Sequence, residues 1–93
     1  MEFIISRVVH TSGTSVAGDG ARIAEAALRR VCFVLTVDDG VVELFFKDAA
    51  GTAGDGILVT SGSPFRFDHP YYNELSLRQV TSAADWQLAE CFY

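Results

Sequence analysis

The chain has 93 residues, of which 49% are hydrophobic and 20% are charged, and its net charge is −5. This length suits one compact domain, and the composition is that of a globular rather than a disordered chain. The acidic balance argues against nucleic-acid binding, which needs clustered basic side chains to neutralise phosphates. Lys47 is the only lysine, so we expect no polybasic membrane-binding segment, and no apolar run reaches the roughly 20 residues that span a bilayer.

Along the chain, apolar residues recur at every second position, which is the period of a β-strand rather than a helix. The first strand is predicted from Phe3 to Val9, followed by a polar turn at residues 10–13. Residues 21–30 resemble a helix capped by Asp19, but their apolar stripe is thin. We therefore predict a short strand from Ala21 to Ala24 and then a turn or a single helical turn.

Two strongly alternating segments follow, on either side of Asp38-Asp39-Gly40. In the first segment, the odd positions 31–37 form one apolar face, and Cys32, Val34 and Thr36 form the other. In the second, the even positions 42–46 oppose the odd positions 41–47. Such segments around an Asp-Gly pair predict a β-hairpin, in which Asp39-Gly40 supplies the positive φ angles of a tight primed turn.

The rest of the chain repeats the same pattern at short intervals. A glycine-rich loop at residues 49–56 precedes four further predicted strands: Ile57 to Thr60, Phe65 to Phe67, a segment around Leu75 and Leu77, and Trp86 to Tyr93. Seven or eight short strands with no room for crossover helices predict an all-β fold, a jelly-roll-like antiparallel sandwich of two sheets. We expect one domain over residues 1–93, with residues 1–20 as either the first strand or a docking arm. The expected large core side chains are Phe33, Phe46, Phe65, Phe67 and Trp86.

No motif in the sequence indicates catalysis. Gly51 and Gly56 have the glycine spacing of a phosphate-binding loop, but Ile57-Leu58 replaces its Lys and Ser/Thr. Asp68-His69 lacks an associated nucleophile elbow. The acidic residues do not follow a calcium-loop pattern, and the cysteines and histidines lack zinc spacing. We therefore expect no enzyme activity, no metal and no cofactor.

Cys32 and Cys91 are expected to be free thiols, because the N-terminal segment shows no export signal. A disulfide between them would need Cα atoms within about 7 Å, which the sequence does not establish.

The apolar side chains exceed what one core can cover, which favours association between copies of the chain. Phe65, Phe67, Tyr71 and Tyr72 allow a second interpretation, a stacking platform for sugars or bases. The arginines at 22, 29 and 30 suit either ion pairs with a partner or a solvated face. The residues expected at a subunit or capsid interface are Arg29, Arg30, Val34, Phe45, Tyr71, Tyr72 and Tyr93.

From Ala21 onward, a short predicted strand leads to Arg30 and an alternating strand, and a turn then leads to a second alternating strand. A glycine-rich loop follows, with Gly56-Ile57-Leu58 at its end. A Ser-Gly turn then precedes the aromatic strand Phe65-Arg66-Phe67. This order resembles small β-sandwich structural proteins of tailed bacteriophages, such as capsid decoration (cement) proteins. The matching positions are Arg30, Gly56, Gly62, Phe65 and Phe67, which look like scaffold positions.

The resemblance implies a virion protein on the capsid surface, assembled in the bacterial cytoplasm, without enzyme activity or cofactor. Its implied partners are copies of itself, with a trimer as one expected form, and the major capsid protein or another virion protein. Neither nucleic acid nor membrane is expected as a partner. The alternative is a small tail or receptor-binding component with a carbohydrate-binding sandwich.

Overall fold

Eight strands, arranged in two antiparallel four-stranded sheets, make up the computed structural model, which describes residues 5–15, 20–47 and 54–93. The strands are β1 (Arg7–Thr14), β2 (Ala21–Ala24), β3 (Arg30–Val37), β4 (Val41–Phe45), β5 (Ile57–Thr60), β6 (Phe65–Phe67), β7 (Leu75–Gln79) and β8 (Asp85–Phe92). The all-β prediction and the strand at residues 21–24 are confirmed. In the described ranges, no helix has the length and apolarity to cross a membrane.

The strand order is that of a jelly roll. The first sheet has the order β1-β8-β3-β6, and the second has the order β2-β7-β4-β5. Strand β1 therefore pairs with β8, β2 with β7, β3 with β6, and β4 with β5, as if one long hairpin were rolled into two layers. Eight strands in two such layers confirm the sandwich predicted from the strand spacing.

The hairpin predicted over β3 and β4 is wrong, because these strands lie in different sheets. Gly40 has the expected positive φ of 97°, but no non-glycine residue in the described part of the chain has a positive φ, so Asp39 does not complete a primed turn. The turn instead crosses between the layers, where the Asp38 N–H donates to the Asp85 carbonyl at 2.9 Å. Strands β6 and β8, which are far from β3 in sequence, pair with its two edges. Neither edge is therefore left for the predicted pairing with β4.

The polar turn predicted at residues 10–13 is also wrong. These residues lie inside β1, which pairs with β8 continuously from Arg7 opposite Phe92 to Thr14 opposite Asp85. Almost every residue of β1 is exposed, so its polar side chains incur no burial cost and the alternating pattern is lost. The predicted start at Phe3, the Asp19 cap and most of the glycine-rich loop fall on residues outside the described ranges.

The core lies between the sheets and is rich in aromatic side chains. Phe33 is fully buried at its centre, and its ring centroid lies 5.9 Å from Phe46, 6.1 Å from Phe65 and 5.5 Å from Phe67. Trp86 is buried in the same cluster, so the predicted core aromatics are confirmed. These rings pack at the separations that favour aromatic pairs.

A candidate assembly surface at one end of the sandwich

Arg30, the first residue of β3, has a side chain with no exposed surface. Its Nε donates to Oε2 of Glu90 at 2.8 Å, and its Nη1 donates to the carbonyls of Tyr71 and Asn73, each at 2.9 Å. Its Nη2 donates to the carbonyl of Glu25. A guanidinium group presents five donors in a rigid plane, which suits it to hold several segments at once. This Arg30 cluster joins the segment before β3, the connection between β6 and β7, and strand β8.

The charges of the cluster balance each other. Glu90 is itself buried, so its carboxylate depends on the guanidinium group for compensation. Taking either charge out of water alone would cost several kcal/mol, whereas the pair with its extra hydrogen bonds is tolerated. The cluster therefore fixes the relative positions of three segments at this end of the molecule.

Backbone hydrogen bonds around Arg30 bring three exposed side chains to the same end. The Ala27 N–H donates to the Tyr72 carbonyl at 3.0 Å, and the Tyr93 N–H donates to the Arg29 carbonyl at 3.1 Å. Leu28 lies between these two attachment points and is 82% exposed, while Tyr72 and Tyr93 are each 40% exposed. We call the group Leu28, Arg29, Tyr72 and Tyr93 the aromatic end.

The guanidinium group of Arg29 adds a positive charge to the aromatic end and lies over one of its rings. Its guanidinium carbon lies 5.7 Å from the centroid of the Tyr93 ring, within the range of a cation–π contact. A similar contact lies nearby on β1, where the Arg7 guanidinium is 4.4 Å from the Phe92 ring. The aromatic end thus combines an exposed leucine, two half-exposed tyrosines and an arginine.

Of the interface residues predicted from sequence, Arg29, Tyr72 and Tyr93 come together here. Arg30 and Phe45 are buried inside the protomer, which corrects the surface position expected for both. Val34 is half-buried on the outer face of the first sheet, four residues along β3 from Arg30.

The Tyr71 side chain packs mainly against the interior of the protomer. It is partly buried, its hydroxyl donates to the Glu74 carbonyl at 2.8 Å, and its ring lies 5.0 Å from Phe46. Burial raises the pKa of its hydroxyl. It therefore does not form an open platform with Tyr72.

Sequence reasoning missed Leu28. The only signal for it was a large apolar residue in an alanine-rich segment that fits neither strand nor helix periodicity.

A second buried polar cluster, around Glu43 of β4, explains why the outer face of the second sheet is not open there. The Glu43 side chain accepts hydrogen bonds at Oε2 from the N–H groups of Gly54 and Gly56, each at 2.8 Å, and Arg78 donates to Oε1 at 3.1 Å. Burial alone would raise the pKa of Glu43, but the bonds from Gly56, Arg78 and Gly54 together outweigh it and hold the pKa below its usual value. The segment at Gly56 passes so close that a Cβ there would lie 3.0 Å from the Phe45 ring, and it thereby covers Phe45.

Open clefts lie elsewhere on the described surface. One, of about 310 Å³, is lined by Ser12, Gly13, Thr14, Asp38, Asp85, Trp86 and Gln87. Another, of about 420 Å³, is lined by Leu44, Phe45, Phe46, Lys47, Asp55, Gly56 and Ile57. In the first cleft the Thr14 hydroxyl donates to Oδ1 of Asp85 at 2.7 Å, and none of the seven residues named as lining it is a histidine.

Asp68 and His69 contact different groups. Asp68 accepts hydrogen bonds from Nε of Arg66 at 2.8 and 2.9 Å, whereas the His69 ring packs on Phe67 at 5.4 Å. Within the described residues, no three or more His, Cys, Asp or Glu side chains are placed to hold a metal ion. Comparison with protein-family models, curated proteins and solved structures gave no match.

Proposed function

We propose that the chain is a structural protein of a bacteriophage virion, most specifically a capsid decoration protein that bridges major capsid subunits and stabilises the head. The observation that carries the proposal is the aromatic end. A leucine that is 82% exposed lies beside two half-exposed tyrosines and an arginine, and such grouping of exposed apolar side chains is typical of interaction sites. Aromatic residues and arginine are the types enriched at protein interfaces.

The Arg30 cluster supports the same proposal because it makes the aromatic end rigid. Its four side-chain hydrogen bonds hold the two segments that carry Leu28 and Tyr72, together with β8. A surface that is already ordered loses little conformational entropy on binding, so its apolar contacts contribute more fully to affinity. A protein that reinforces a shell needs such a preformed contact.

The architecture and the matched positions are compatible with the proposal. Jelly rolls are common in viral capsid and lectin domains, although a fold by itself does not define a function. Each position behind the phage resemblance has a scaffold role here. Arg30 is the centre of a buried cluster, Gly56 packs on Glu43, and Gly62 has a positive φ of 81°. Phe65 and Phe67 pack against the core.

Strand β1 supports association between copies of the chain. It is eight residues long, and no described strand pairs with its outer edge. Ile5, two residues before β1, and Val8, the second residue of β1, are large exposed apolar residues. A free strand edge presents unpaired N–H and C=O groups that another strand can use. We therefore include a homo-oligomer in the proposal, and a monomeric mass in light scattering at micromolar concentration would contradict that part.

The test of the proposal is rebinding to phage capsids from which this protein has been removed. Wild-type protein should bind and raise the temperature at which the capsids break. Leu28→Ser should bind at least about tenfold more weakly, as expected for the loss of a central apolar contact. Leu58→Ser is the matched control, because Leu58 is also an exposed leucine but lies on β5, outside the aromatic end.

Two results would contradict the proposal in different ways. If removing the protein leaves capsid stability unchanged, it does not reinforce the head. If Leu28→Ser and Leu58→Ser bind as well as the wild type, the aromatic end is not the contact surface.

The exposed ring of Tyr72 favours one second candidate, a carbohydrate-binding tail or receptor-binding component. An exposed tyrosine can stack on a sugar ring, and Tyr71 beside it is occupied by its core contacts. Binding on a glycan array that disappears with Tyr72→Ala but persists with Leu28→Ser would favour this candidate over the capsid contact.

A further inference from the structure

The two cysteines of the chain face each other across the middle of the first sheet. Cys32 of β3 and Cys91 of β8 are directly opposite in the antiparallel register. Residues opposite each other in such a ladder have Cα atoms about 4.5–5.5 Å apart, which is within the range that a disulfide can bridge. The sequence alone left this pairing open, and the register of β3 and β8 settles that the two side chains are neighbours.

Both thiols are free and reachable from solvent. Each cysteine is partly buried on the outer face of the sheet, with Val8 of β1 opposite Cys91 on the other side. Cys91 is close enough to Cys32 to contribute to the raised pKa of the Cys32 thiol. The charged groups near the pair are Asp68 and Arg66, and His10 lies further along the same face of β1. This arrangement places two partly exposed thiols on neighbouring strands, at an outer surface that a small reagent can approach.

We propose that Cys32 and Cys91 form a reversible dithiol–disulfide pair that closes within one protomer and links β3 to β8. A small disulfide such as oxidised glutathione is the oxidant. The Cys91 thiolate attacks one of its sulfur atoms, the reagent's S–S bond breaks, and one glutathione thiolate leaves and takes up a proton. The Cys32 thiolate then attacks the Cys91 sulfur and expels the second glutathione. The two protein thiols lose two electrons and two protons, and the reagent becomes two thiols.

The linkage has a structural consequence at the aromatic end. Cys32 is two residues from Arg30, and Cys91 lies between Glu90 and Phe92, so the new bond would reinforce the strands that carry the buried ion pair. The bond would close a long loop of the chain, which is the case in which cross-links restrict the unfolded state most. The oxidised protein is therefore the more stable form. This inference does not depend on the proposed function.

The test uses the reduced full chain with oxidised glutathione at pH 8, followed by alkylation with N-ethylmaleimide and measurement of the intact mass. The expected product has lost about 2 Da and carries no alkyl group, and dithiothreitol restores both thiols. Its Tm should exceed that of the reduced protein by about 5 °C or more. Cys32→Ser and Cys91→Ser are matched controls that should form only the glutathione adduct, with no such rise in Tm.

The rate of closure supplies an independent readout. Burial is the largest of the effects that raise the pKa of the Cys32 thiol to about 11, and it persists when Cys91 carries glutathione. Closure needs this thiolate, so its rate should rise up to about tenfold per pH unit between pH 7 and 9. Two free thiols after prolonged exposure to oxidised glutathione would overturn the proposal. Disulfide-linked dimers as the main product, or closure that requires urea, would also overturn it.

Discussion

Replacing Arg30 with methionine tests whether the buried cluster holds the sandwich end together. The substitution keeps a long apolar stem but removes donors to four acceptors: the Glu90 carboxylate and the carbonyls of Tyr71, Asn73 and Glu25. It also leaves Glu90 buried without a compensating charge, which costs about 3–5 kcal/mol. For a domain of this size, that loss lowers the Tm by at least about 12 °C. Urea and thermal unfolding followed by circular dichroism measure both quantities.

Two further variants make this measurement specific. Arg66→Met removes an exposed arginine that pairs with Asp68 at the surface, and it should leave the unfolding midpoint nearly unchanged. Adding Glu90→Gln to Arg30→Met removes the uncompensated charge and should recover at least about 1 kcal/mol. If Arg30→Met unfolds within about 1 kcal/mol of the wild type, the cluster is not what holds these segments, and the reasoning is refuted.

Three other substitutions test the buried groups on the outer face of the second sheet. The pKa of Glu43 is lower in the folded than in the unfolded chain, so its stabilisation is complete above about pH 4.5 and is lost as the pH falls below that value. Glu43→Gln should therefore flatten the acid limb of a stability–pH curve, and an unchanged limb would argue against the cluster. Gly56→Ala places a Cβ 2.6 Å from the Cγ of Glu43 and 2.7 Å from the Leu44 carbonyl oxygen, and it should cost about 1–3 kcal/mol in urea unfolding. Ser76 is buried, and its hydroxyl has no hydrogen-bond partner in the described part of the chain. Ser76→Ala should therefore stabilise the protein by about 1 kcal/mol in urea unfolding. A loss of stability would show that the hydroxyl has a partner.

The residue pattern predicts most of the strands and the core but not the strand partners. Alternation shows which side chains of β3 point inward, because burial repeats every second residue along a strand. It carries no information about which strand occupies each edge. The Asp39-Gly40 pair therefore predicted a local hairpin, whereas β3 pairs with β6 and β8, both far along the chain. Strand β1 shows the converse case, since a strand that is exposed on both faces needs no alternation.

The candidate surface was predictable only in part for a similar reason. Tyr72 and Tyr93 are recognisable from the sequence as aromatic residues near a loop or near the last residue of the chain. Arg30 looks like a surface charge, because its partners Tyr71 and Glu90 are 41 and 60 residues away in sequence. Leu28 has no periodic context at all, and only the hydrogen bonds of its neighbours place it beside the two tyrosines. The Cys32–Cys91 contact depends likewise on the register between β3 and β8.

A map of the intact phage particle by electron cryo-microscopy tests the central proposal most directly. The account predicts copies of this eight-stranded sandwich on the outer capsid, with Leu28, Tyr72 and Tyr93 packed against a neighbouring subunit. A particle in which every copy turns these three side chains toward solvent, or which holds no copy of the chain, would contradict it.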